Sequence, residues 1–193
     1  MAWNLSDANR YDEIREEVAN LIEDFGIEVY PFSIWRLLRK MGIRVVPYSL
    51  LEGSLRDEVE RVWPDAFTFR PDDFDPSRTI VFYNDSKSRG RIRFTLAHEL
   101  GHLVLGHPNS DDPQLEAEAN FFANYFLAPA PLVIRDSKKD VQTIMSDFVV
   151  SFGCARSVLD RTMNRIWYGP RVPLEYESRI MATSRLRGGG RVA

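Results

Sequence analysis

The run FTLAHELGHLVLG, Phe94 to Gly106, is apolar except for Thr95 and three ionisable residues, His98, Glu99 and His102. Ionisable side chains in a run suited to a core are costly unless something satisfies them, so the fold must bring them a partner. His98 and His102 are four residues apart, and on a helix such residues stand one above the other. The pair can present two imidazoles to one point, as ligands of a single metal ion do, and neutral imidazole suits Zn²⁺. HELGH is the HExxH pattern. Glu99 flanks the same point and is placed to take a proton from a metal-bound water, whose pKa zinc lowers to about 7. The competing reading is a chance match on a surface helix. Such a match would sit among polar residues, and this one does not.

A catalytic zinc site needs a third protein ligand. His107, the last of three histidines within ten positions, is one candidate. Its spacing, with Gly106 before it and Pro108 after it, misses the pattern in which a third histidine follows six residues after HExxH. It is expected to end the helix or line the rim of the site. The stretch LEAEANFFANYFLAP supplies a better one. Glu116 and Asn120 are four apart and share a helical face, so Glu116 can bind the metal while Asn120 hydrogen-bonds a ligand histidine. Glu118 points about 200° round the helix from Glu116; it is expected to be solvated and remains the rival ligand. An ordinary charged helix start is the alternative for this whole stretch, since glutamates favour that end. Tyr83 and Tyr125 are possible donors to the oxyanion of a tetrahedral intermediate, against core or rim roles.

A length of 193 residues suits one domain, expected over 1–183. It would comprise a helical part over 7–42, a catalytic core over 43–130, a helical part over 131–168 and a flexible tail over 184–193. The net charge of −3 gives no reason to expect nucleic acid or an anionic membrane as the main partner. The charge is uneven: from Phe148 onward eight arginines face Asp160, Glu175 and Glu177. The single cysteine, Cys154, excludes an internal disulfide and a cysteine-based zinc finger. No basic segment followed by an apolar run opens the chain, and no apolar run is long enough to cross a bilayer. These features predict a cytoplasmic protein.

Apolar periodicity predicts helices over Ile14–Phe25 and Ile34–Met41, each followed by glycine. Ile43–Ser49 reads as a strand, Ser54–Val62 as a short helix, and DAFTFR and TIVFYN as two strands around a polar loop. The HExxH helix is expected over Arg89–Leu105 and the next over Gln114–Leu127, stopped by APAP. Two amphipathic segments follow, around Val141–Phe148 and Val158–Ile166. The expected fold is α+β and zincin-like, with a small sheet packed on the HExxH helix and helices flanking it at both ends.

RFTLAHELGHLVLGH followed by EAEANFFANYFLAP resembles the ImmA/IrrE-type metallopeptidase family, the DUF955 domain. That family pairs HExxH with a downstream ExxAN-x-FA segment and a leucine-rich stretch ending in proline. The likeness runs over roughly residues 30–165, with Ala128 before Pro129 where the family commonly has methionine. It implies a zinc-dependent protease, and for several members a substrate that is a helix-turn-helix repressor of a mobile element or stress response. Two other readings stand beside it. One is a regulatory module that binds protein or DNA and keeps zinc for structure; Glu99 speaks against it, because a structural site needs no base. The other is a small-molecule metallo-amidase, which a wide groove beside a strand would disfavour.

Overall fold

The computed structural model describes residues 5–71, 78–110, 112–137 and 139–187. The fold is mixed α+β, mostly helical with two small sheets. Helix α1 (Leu5–Asp24) buries Ile14, Val18, Leu21 and Ile22, the stripe expected from their spacing. Strand β1 (Val29–Tyr30) leads to α2 (Ile34–Lys40), capped by Ser33, whose hydroxyl accepts from Arg36 N. Then come β2 (Arg44–Pro47), a 3₁₀ turn (Tyr48–Leu50), α3 (Gly53–Val62), β3 (Ala66–Phe69) and β4 (Ile80–Tyr83).

The larger sheet has the order β2-β4-β3, with β4 central. β2 runs parallel to β4 (Val45 opposite Val81), and β3 runs antiparallel to it (Thr68 opposite Val81). The Phe67 and Phe82 rings stack across that pair at 4.8 Å. This is the hairpin the sequence predicts; residues 72–77 of its loop lie outside the described residues. β3 is an edge strand.

Helix α4 (Arg89–Val104) starts at the Ser88 cap and packs on this sheet, on α2 and on α5 (Pro113–Leu127). The α4–α5 contact is close because of Gly101. A Cβ there would lie 3.0 Å from Phe122 Cδ1 and 3.3 Å from Ala119 Cα. After Leu105 the chain reverses at Gly106, with φ of 66°. His107 N donates to His102 O and Gly106 N to Leu103 O, the paired bonds of a glycine-ended helix. That turn folds His107 back against the helix it has just left.

The carboxy-terminal part holds α6 (Ala130–Asp136), α7 (Val141–Phe148), α8 (Phe152–Tyr168) and α9 (Glu175–Thr183). Two of these depart from expectation. APAP does not only stop α5; Pro131 sits in the first turn of α6, where its missing N–H costs nothing. α9 was not expected at all. The flexible tail expected from residue 184 is also corrected at its start. Arg185–Leu186 forms β5, parallel to β1 (Tyr30 opposite Leu186), and Ser184 is buried with its hydroxyl donating to Ile27 O. Residues 188–193 lie outside the described residues. Among the described residues, no helix is long and apolar enough to cross a membrane.

Candidate metal centre

Helix α4 turns Leu96, Ala97 and Leu100 into the core. Half a turn away, His98 and His102 reach a groove between α4 and β3. Their Nε2 atoms are 3.0 Å apart. From α5, Glu116 brings Oε2 to 3.4 Å from His98 Nε2 and Oε1 to 3.2 Å from His102 Nε2. Ligands placed tetrahedrally at 2.0–2.1 Å from one ion stand about 3.3 Å from each other. The trio therefore fits a single ion, and its two imidazoles and one carboxylate are a donor set that suits zinc. Among the described residues no second trio of this kind occurs. Burial, and then the neighbours His98, His107 and Arg70, push His102 down to about 4, so near neutral pH it keeps a lone pair for a metal.

Glu99 is half-buried between α4 and β3. Thr68 Oγ1 donates to its Oε2 at 2.5 Å. Burial pushes the Glu99 carboxyl above its usual range; the Thr68 hydroxyl and His98 pull the other way. The groove holds about 530 Å³ and is lined by Trp63, Phe67 and Thr68 on one side and by His98, Glu99 and Asn120 on the other. Arg91 stands at its rim, doubly bonded to Asp65 and holding that carboxyl below its usual range.

Glu118 is not solvated, contrary to expectation. It is 5% exposed, and its Oε2 accepts from Arg10 Nε at 2.9 Å and lies 3.2 Å from His107 Nε2. Gln114 Nε2 donates to its Oε1. Burial raises its carboxyl, but the bonds from Arg10, Gln114 and His107 outweigh that and hold it below its usual range. His107 follows the helix end as expected but lies behind the site, not on its rim. It is 3% exposed, with Nδ1 3.1 Å from His102 Nδ1. The side-chain partner of His102 is thus His107. Asn120, expected in that role, is exposed and lines the groove, with no side-chain bond to either histidine.

Neither tyrosine is brought to the groove. Tyr83 is half-buried on β4, and Tyr125 is buried on α5 with its ring stacked on Phe121. Two residues at the site escaped the sequence reading: Thr68, and Arg70, whose Nη2 donates to His107 O. No local signal marks them, because each acts across more than thirty residues of chain.

A family model described as the IrrE N-terminal-like domain, peptidase M78, matches residues 39–159. The match runs from the end of α2 into α8 and contains the trio, Glu99 and Thr68. α1 and α9 fall outside it. No curated protein matches the chain.

Proposed function

Because the chain belongs to the peptidase M78 family over residues 39–159, we propose that it is a zinc-dependent endopeptidase with a zincin-like centre. His98, His102 and Glu116 are its ligands, and it acts on an intracellular protein. The observation that carries this reading is the convergence of the trio beside a half-buried carboxylate in an open groove. The groove's flank favours peptide over a small amide. Among the described residues β3 pairs only with β4, and an unpaired strand edge accepts an extended chain by strand addition.

A zinc ion held by the trio supplies Lewis acidity and lowers the pKa of water to about 7. The rest falls to the chain. Glu99 Oε2 is taken by Thr68, so Oε1 is the atom left to receive the proton of the attacking water. A carboxyl raised by burial holds that proton more readily and can return it to the leaving amine. Glu99→Gln keeps the size and loses the base, so cleavage should fall by about 10²–10⁴-fold with zinc content unchanged.

The family resemblance points to a helix-turn-helix repressor as substrate. Selectivity would draw on contacts beyond the trio, such as the arginine-rich carboxy-terminal part. The test is to incubate the zinc-loaded protein with a repressor encoded beside it and, separately, with unfolded casein. A single defined cut in the repressor with casein spared supports the proposal. Broad digestion of casein with the repressor intact refutes the substrate. Zinc retained with no proteolysis of either substrate favours the regulatory reading instead.

A further inference from the structure

Behind the trio, polar groups form a line leading away from the groove. His102 Nδ1 faces His107 Nδ1 at 3.1 Å, and His107 Nε2 faces Glu118 Oε2 at 3.2 Å. Beyond it, Arg10 from α1 donates to the same carboxylate. His107 and Glu118 are both buried, so water does not stand in for either partner.

We propose that His107 and Glu118 are positioning residues of the metal centre: a directed hydrogen-bond relay that holds His102 in the one neutral tautomer able to offer Nε2 to a metal. The proposal rests on the metal reading of the trio. Its direction follows from counting protons. Two facing Nδ1 atoms need one N–H and one lone pair between them. An ionised carboxylate can only accept, so Glu118 requires the His107 proton on Nε2. Neutral His107 then has its lone pair on Nδ1. His102 Nδ1 must supply the N–H, which leaves His102 Nε2 bare toward His98 and Glu116. The opposite order would put a proton on His102 Nε2 and block the ligand position. The hydrogen bond made by one ring nitrogen sets what the other can do. The other ligand histidine has no such guide among the described residues: His98 Nδ1 is buried without a hydrogen-bond partner there.

The relay also extends the site past the residues matched by the family model. Glu118 is reached by Arg10, which lies outside 39–159. The amino-terminal helix therefore touches the metal centre through a carboxylate and an imidazole.

The direct test is long-range ¹H–¹⁵N correlation on histidine-labelled, zinc-loaded protein. The relay requires His107 protonated at Nε2 and His102 at Nδ1. The second measurement is zinc affinity by competition with a chromophoric chelator, on variants checked for folding by circular dichroism. His107→Phe and Glu118→Ala should each weaken zinc binding by about 10–100-fold. Glu118→Gln, whose amide oxygen still accepts, should stay nearer the wild type than Glu118→Ala. One equivalent of zinc on the wild type with His107 protonated at Nδ1 overturns the relay alone, as do folded variants with undiminished affinity. A wild type that takes up no zinc overturns the metal reading and the relay with it. If the variants fail to fold, the tautomers of the wild type decide.

Discussion

Glu99 and Glu116 are carboxylates that border the same two histidines, and their surroundings separate the tasks proposed for them. The Glu116 side chain is 46% exposed, with an oxygen near each imidazole. Glu99 is sheltered by β3 and tied by one oxygen to Thr68. Burial raises the Glu99 carboxyl and the Thr68 hydroxyl lowers it. Thr68→Val removes the donor at nearly constant shape. The ionised form loses a hydrogen bond, so the Glu99 pKa should rise further. A base must be deprotonated to act, so the acid limb of the kcat/KM profile should move to higher pH. A profile with its acid limb unmoved would detach Thr68 from Glu99's role. At this scale the sequence was legible where chemistry is local. HExxH singled out His98, Glu99 and His102 and the next helix offered Glu116, and the structure brings His98, His102 and Glu116 to one point. Glu118 was misread because a helical wheel shows where a side chain points, not what lies there. Arg10 comes from more than a hundred residues away, and His107 arrives only because the chain reverses at Gly106.

At the scale of elements, the site is a meeting of α4 and α5, and Gly101 sets their separation. Alanine is the better helix former by about 1 kcal/mol. At position 101 its methyl would press on Phe122 and the Ala119 backbone. Overpacking of this kind costs about 1–3 kcal/mol. Gly101→Ala should therefore be destabilising by about 1 kcal/mol net in denaturant melts. It should weaken zinc binding as well, because α5 carries Glu116. A protein made more stable, with unchanged affinity, would show slack between the helices. Apolar periodicity made α4, α5 and the hairpin readable. α6 was hidden by its own prolines, which serve equally to stop one helix and to start another. β5 was hidden because two residues of ladder carry no period, and only the partner strand β1 gives them a conformation.

Across the whole molecule, one side chain ties distant segments together. Arg93, on the buried face of α4, is 1% exposed. Its guanidinium donates to Phe32 O before α2 and to Phe148 O and Val149 O at the end of α7. Burial pushes it down to about 10. Arg93→Met keeps an apolar stem and strands three carbonyls. Leaving buried acceptors unpaired costs about 1–3 kcal/mol each at most, so a loss of about 3 kcal/mol is expected in urea melts. A change under about 0.5 kcal/mol would mean that water reaches those carbonyls. Nothing in the sequence flagged Arg93, which reads as one more charge near a helix start.

Among the described residues the outer edge of β3 is unpaired, and the strand addition proposed for it bears on whatever is cut. Four strand residues span about 13 Å, and a chain can lie along that edge only when it is extended and has no other hydrogen-bond partner there. A segment already folded within a target is closed to it. Turnover of a folded target would then follow how often that target opens locally, a property of the target's own free-energy landscape. Mutations that loosen the target around its scissile segment should speed cleavage with no change in the protease, and ligands that tighten it should protect it.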